Sequence, residues 1–237
     1  MTGALQAIVF DFDGVIANSE PLHLRGFQET LAEQGVTLTA KDYFANYLGF
    51  DDPGMFRALS ERRALGWSDA DIDRLIARKT ERLQELMRPE AVLFPGAADF
   101  IRTAAAHVPV AIASGAQRHE IEEILDATGL AALFPIIVAS GDTPESKPSP
   151  APYDLAFRRL YMSAAAAIER HRCVAIEDSR WGLDSARGAG LRCVGVTTSY
   201  PADELGGAEL IARGLDNLTL AALDQLCATP STSSLNR

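Results

Sequence analysis

The stretch Ala7-Ile8-Val9-Phe10-Asp11-Phe12-Asp13-Gly14-Val15 decides how the rest of the chain is read. Four apolar residues run without polar alternation, stop at an aspartate, and are followed by a second aspartate and a glycine. A short unbroken apolar run marks a strand buried on both faces, and such strands belong to parallel sheets. Four further runs of the same kind follow at 108–113, 136–139, 173–176 and 193–196, with a weaker sixth at 210–212. Apolar residues at three-to-four spacing separate the later runs, over 97–106, 118–128, 152–160 and, more briefly, 182–189. Alternating strands and helices predict a doubly wound α/β domain.

The interval between the first two runs breaks that alternation, because a single crossover helix needs far less chain. Residues 22–34 and 53–65 have helical spacing, and 68–87 has the clearest stripe, through Ile72, Leu75, Ile76, Leu83 and Leu86. Ser68 is placed to cap that last helix, and Asp69 and Asp71 suit the positive end of its dipole. The expected organisation is a core over 1–17 and 91–227 and an inserted helical domain over 18–90, with linkers near 18–21 and 88–95. The Ser/Thr/Pro-rich segment 228–237 is expected to fray.

Composition limits the function classes. The 237 residues are 47% hydrophobic and 23% charged, as in an ordinary globular protein. A formal net charge of -10 argues against a nucleic-acid partner, whose phosphates are bound by clustered Lys and Arg. No stretch approaches the ~20 apolar residues of a membrane span. Cys173, Cys193 and Cys227 form no CxxC pair, and residues 1–6 lack a signal-like pattern, so the chain is read as cytoplasmic, a monomer or weak homodimer.

Ligands of such sheets bind beyond the carboxyl ends of the strands. Asp11 and Asp13 follow the first run, Ser114 and Gly115 the second, Lys147 the third, and Glu177 and Asp178 the fourth. Carboxylates, a hydroxyl and an ammonium at one edge suit a hard cation together with a phosphate group. In an extended strand residues 11 and 13 share a face, so one carboxylate can attack phosphorus while the other handles the leaving-group proton. Asp11, Asp178 and Glu177 are the candidate Mg²⁺ ligands, relieving repulsion between nucleophile and substrate. Lys147 and Ser114 would bind the phosphoryl oxygens. Each feature alone has a plainer reading: a strand-end acid pair, a solvated lysine, a Ser-Gly turn, an acidic helix start. Their joint order along the runs favours the chemical one.

Asp11-Phe12-Asp13-Gly14-Val15, Ala113-Ser114-Gly115, Ser146-Lys147-Pro148 and Ile176-Glu177-Asp178-Ser179 resemble the four motifs of the haloacid dehalogenase-like (HAD) hydrolase superfamily, in the branch of β-phosphoglucomutases and sugar-phosphate phosphatases. The resemblance covers about residues 5 to 220. It implies a Rossmann-like core with an α-helical cap that closes over the active site, Asp11 as nucleophile, Asp13 as general acid/base, and Mg²⁺ bound partly through the Asp13 backbone carbonyl. Asp13 favours phosphoryl transfer over dehalogenation, because a carbon–halogen bond has no leaving oxygen to protonate. Against the mutases of the branch, His23 and Lys79 match cap positions. The loop Leu48-Gly49-Phe50-Asp51-Asp52-Pro53, however, is acidic where mutases carry a basic residue. Arg57 and Arg118 stand near enough in sequence to compensate.

The expected activity is thus a phosphatase acting on a small phosphorylated metabolite, a sugar phosphate, with Gly115, His23, Asp52, Arg57, Lys79 and Arg118 as substrate contacts. A phosphomutase is the alternative. A non-enzymatic receiver-like phospho-aspartate switch fits the length, the helical insert and Asp13 poorly.

Overall fold

A computed structural model describes residues 3–18, 20–47, 50–86, 93–164 and 166–229. Residues 88–92 of the second expected linker, loop positions Leu48 and Gly49, and the tail from 230 lie outside the described residues. The chain divides into two compact units, Met1–Asn18 with Pro89–Arg237, and Ser19–Arg88.

The first unit is a six-stranded sheet in the order β3-β2-β1-β4-β5-β6, with every neighbouring pair parallel. Its strands are β1 (Ala7–Phe10), β2 (Val110–Ala113), β3 (Ile137–Val138), β4 (Cys173–Glu177), β5 (Arg192–Val196) and β6 (Leu210–Ala212). β1 pairs with β2 through Ile8↔Val110 and with β4 through Ala7↔Cys173. The strand order reverses at β1, which places a crevice beyond its carboxyl end in a Rossmann-like sheet. β1, β2, β4 and β5 are buried along their whole length, which is why they are apolar apart from Glu177 at the end of β4 and Arg192 at the start of β5.

The helices of this unit are α5 (Ala97–Ala105), α6 (Arg118–Ala127), α7 (Ala151–Ser163), α8 (Arg180–Gly188) and α9 (Leu220–Ala228). Ala7, Val9, Ala111, Ala113 and Ala175 on one sheet face share a core with Tyr153, Phe157 and Leu160 of α7 and Leu183 of α8. On the other face Phe10 sits edge-on to Phe100 of α5 and to Phe134, with ring centroids 6.2 and 5.9 Å apart. Where the chain leaves and rejoins the sheet, Ala17 forms an antiparallel bridge with Leu93, and the Phe94 amide donates to the Ile16 carbonyl at 3.0 Å.

The second unit is made of α1 (Glu20–Ala32), α2 (Ala40–Asn46), α3 (Asp52–Arg63) and α4 (Asp69–Leu86). α1 begins at Glu20, so Glu20 and Pro21 belong to a helix rather than to the expected linker; proline is tolerated in a first helical turn. Ser68 caps α4 as expected, its hydroxyl accepting from the Asp71 amide at 3.3 Å. Leu24, Phe27, Leu31, Phe56, Leu59, Ile72 and Leu75 form a separate core. Beside that core Lys79 is only 1% exposed. Its ammonium donates to Asp52 Oδ1 at 2.9 Å and to His23 Nδ1 at 2.8 Å, and lies 4.9 Å from the Phe27 ring centroid. A histidine that accepts from an ammonium must be neutral. Burial and then the Lys79 charge push the His23 pKa down to about 3.

Ile8→Ala, in the fully buried central strand, is expected to cost about 3 kcal/mol in urea unfolding. In the helical unit the folded His23 pKa of about 3 lies below the ordinary 6.5. Between those values the unfolded chain binds the extra proton, so this contribution to stability is present above pH 6.5 and is lost as pH falls. Urea titrations at pH 7.5 and 5.5 are expected to show the stability of His23→Asn approaching that of the wild type at the lower pH, by up to about 1 kcal/mol per pH unit.

Candidate active site

The motif residues stand at one edge of the sheet because their strands do. Asp11 continues the β1 ladder by one residue, its amide donating to the Ile176 carbonyl of β4 at 2.9 Å. The Ser114 amide does the same from β2 to the Val138 carbonyl of β3, also at 2.9 Å. The chain then turns: Gly14 has φ of +80°, and its amide closes onto the Ala17 carbonyl at 2.9 Å. A side chain at position 14 is excluded twice over. The backbone is left-handed there, and a Cβ would lie 1.8 Å from Asp178 Oδ2. Asp11 thus extends the ladder just past β1, and Asp13 bridges to Ala17 in the turn that follows.

Lys147 ties the edge together. Its Nζ donates to Asp11 Oδ1 at 2.7 Å and to Glu177 Oε1 at 2.5 Å. Burial alone would lower its pKa, but the Asp11 and Glu177 carboxylates outweigh that and hold it above the ordinary lysine value. An ammonium has three N–H groups. The third N–H of Lys147 has no partner among the described residues, which leaves it for an incoming acceptor.

Asp11, Glu177 and Asp178 are all buried, and one oxygen from each falls within 4.8 Å of the others. Burial first, and then the Glu177 charge, push the Asp11 pKa up to about 7 despite Lys147; Asp13 adds to the rise. Asp178 is likewise raised well above the carboxylate range by burial and then by the charges of Asp11 and Glu177. Raised pKa values mean that the ionised form lacks enough positive charge beside it, and an all-oxygen cluster of this kind fits a hard divalent cation such as Mg²⁺.

The two strongest candidate ligands differ from Glu177. Glu177 Oε1 also accepts from the Tyr153 hydroxyl at 2.7 Å, and Oε2 accepts from the Ser179 hydroxyl at 3.1 Å and the Asp178 amide at 3.3 Å. Both of its oxygens are therefore engaged by the protein's own donors. Asp178 Oδ2 accepts from Ser199, and among the described residues no hydrogen bond falls on its other oxygen.

Among the expected substrate contacts, Gly115 is exposed with open space about its Cα. Arg118 is tied instead to Asp142 at 2.7 Å and to the Ile137 carbonyl at 3.0 Å, because the Asp142 carboxylate lies within reach of the start of α6. In the helical unit, Arg57 is exposed and lies 3.5 Å from Asp69. Asp52, His23 and Lys79 satisfy one another, and Asp51 caps α3 by accepting from the Gly54 amide at 2.8 Å. The acidic loop is thus largely neutralised from within, unlike the free pair of carboxylates expected from its sequence.

Sequence reasoning missed Tyr153, Ser199 and Gly182. Gly182 admits the Glu177 carboxylate against the first turn of α8, where a Cβ would lie 1.8 Å from Glu177 Cδ. The spacing of Gly182 from the acid pair was readable, but nothing in it specified so close an approach.

A family model described as haloacid dehalogenase-like hydrolase matches residues 8–196. Protein CbbY of Rhodobacter capsulatus is 36% identical over 204 residues, 83% of this chain and 87% of the relative. A mutant of CbbY from Rhodobacter sphaeroides, solved in complex with xylulose-(1,5)bisphosphate, is 31% identical with a TM-score of 0.79, over 93% of this chain and 99% of that one. Fructose-1-phosphate phosphatase YqaB of Escherichia coli is 25% identical over 189 residues, 80% of this chain and 95% of the relative. The chain belongs to the haloacid dehalogenase-like hydrolase family and is one of its phosphatases.

Proposed function

We propose that the chain is a Mg²⁺-dependent phosphatase that hydrolyses a small sugar phosphate through an aspartyl-phosphate on Asp11. The observation that carries this reading is the convergence of Asp11, Lys147 and Asp178 in one buried cluster at the strand edge, with a spare N–H on Lys147. Support for the substrate class comes from the relatives, one solved with xylulose bisphosphate and one named for fructose 1-phosphate.

In the first half-reaction an Asp11 oxygen attacks phosphorus and the bond from phosphorus to the ester oxygen breaks. That oxygen leaves with the proton of Asp13 and departs as the sugar hydroxyl. In the second, Asp13 takes a proton from water as the water oxygen attacks the same phosphorus. The bond to Asp11 breaks, inorganic phosphate departs, and both carboxyls return to their starting states. Lys147 donates its third N–H to a phosphoryl oxygen throughout. Ser114 Oγ already accepts from the Ala116 amide at 3.0 Å, so its own proton is left to donate to another phosphoryl oxygen. Mg²⁺ held by Asp11, Asp178 and the Asp13 carbonyl would supply the positive charge that lets an anionic nucleophile meet an anionic phosphate.

Asp11→Asn is expected to lower kcat for p-nitrophenyl phosphate by about a thousandfold or more, and retention of a tenth of wild-type activity would remove Asp11 as nucleophile. Chelation is expected to abolish turnover and added Mg²⁺ to restore it. Because Asp11 must lose its proton to bind a cation, Mg²⁺ affinity is expected to rise with pH through about 7. Calorimetric titration should show binding about tenfold tighter at pH 8 than at pH 6. A flat profile would place the cation elsewhere.

A further inference from the structure

Tyr153 is fully buried in α7, within the core that α7 and α8 form on the sheet. Phenylalanine would fill that space equally well. What distinguishes tyrosine is a hydroxyl that costs free energy to bury unless it finds a partner. The partner is Glu177 Oε1 at 2.7 Å, the same oxygen that accepts from Lys147. The Lys147 ammonium also lies 5.0 Å from the Tyr153 ring centroid.

Three groups therefore meet at one oxygen, and their rigidity is unequal. Lys147 is a flexible four-carbon stem on a loop. Glu177 ends a fully buried strand, but its carboxylate rotates about its own side-chain torsions unless its oxygens are held. Tyr153 is a rigid ring fixed by the core and by a thirteen-residue helix. Ser179 and the Asp178 amide hold the other Glu177 oxygen. The tyrosine thus supplies the stiff donor on Oε1 itself, the oxygen that the lysine shares.

We infer that Tyr153 is a positioning residue for the reaction: its hydroxyl fixes Glu177 Oε1, which holds the Lys147 ammonium against Asp11 and aims its third N–H at the phosphoryl group. The inference rests on the reading of Asp11 as phosphoryl acceptor. It assigns Glu177 chiefly to Lys147 rather than to the cation. An aimed ammonium matters most where charge develops on the transferring group, so its loss is expected in kcat more than in KM.

The test is Tyr153→Phe in the full chain with Mg²⁺, assayed with p-nitrophenyl phosphate and with vanadate as an inhibitor, beside wild type and Asp11→Asn. Loss of one hydrogen bond to a charged group is expected to lower kcat about tenfold, to leave KM within about twofold, and to weaken vanadate inhibition by a factor similar to that on kcat. Assays run well below the melting temperature of the variant, with rates normalised to the folded fraction from circular dichroism, remove any contribution from lost stability. A normalised kcat within twofold of wild type overturns the inference. So does a loss carried by KM alone with vanadate inhibition unchanged. A wild type that shows no turnover, or an Asp11→Asn variant that keeps it, takes down the Asp11 reading and this one with it. Turnover that Asp11→Asn abolishes and Tyr153→Phe leaves intact overturns the Tyr153 assignment alone.

Discussion

Burying like charges side by side is among the least favourable arrangements a protein can adopt, and the edge of this sheet does so with Asp11, Glu177 and Asp178. Burial first, and then the neighbouring Glu177 charge, push the Asp11 pKa up to about 7. Much of the surrounding structure reads as management of that arrangement. Lys147 reaches in from the loop after β3 to bridge two of the acids. Tyr153 spends its hydroxyl on the Glu177 oxygen that Lys147 also holds, and Ser179 and Ser199 spend theirs on other oxygens of Glu177 and Asp178. Gly14 and Gly182 give up the side-chain volume that the carboxylates occupy. What remains unbalanced is an affinity for positive charge, and an enzyme whose substrate is an anion needs that affinity before it can bring two anions together.

The helical unit solves a related problem in the opposite sense. It buries one ammonium, Lys79, and surrounds it with a carboxylate, a neutral imidazole and an aromatic face. The arrangement leaves no net charge of consequence, so the cluster reads as a polar keystone of a small core. This changes the weight of the acidic loop in separating phosphatase from mutase. Asp51 caps a helix and Asp52 is paired with Lys79, so the loop carries less free negative charge than its sequence suggests. The phosphatase assignment stands on the relatives and on the core chemistry.

How much the sequence disclosed follows from what each residue does. The central strands were legible because burial on both faces keeps their interiors apolar, whereas β6, half-exposed along its length, left only a weak signal. Asp11, Ser114, Glu177 and Asp178 were legible because they sit at or just past strand ends, and strand ends converge in a parallel sheet; Lys147 stands on the loop after β3. α2 and α9 were not anticipated: α2 is seven residues long and buries only Tyr43, and α9 is nine residues long and buries only Leu223 and Cys227, too little periodicity to stand out. Tyr153 was hidden because a buried aromatic in a helical stripe looks the same whether or not its hydroxyl has a task. The burial of Lys79 was not legible because nothing near it in sequence announces that His23 and Asp52 meet it in space. The partner of Arg118 was hidden in the same way, because Asp142 reaches it from a loop 24 residues on.

The Ala17–Leu93 bridge carries a consequence for how this molecule is assembled. Seen from the sheet, the whole excursion through the helical unit begins and ends at paired backbone positions, so it weighs on the core as a hairpin turn would. The entropy of closing a loop grows only with the logarithm of its length, so the core bears little extra cost for holding a folded unit there instead of a few residues. The gate at residues 17 and 93 thus makes the insertion interchangeable: the catalytic sheet can keep its chemistry fixed while evolution, or an engineer, exchanges what hangs from it.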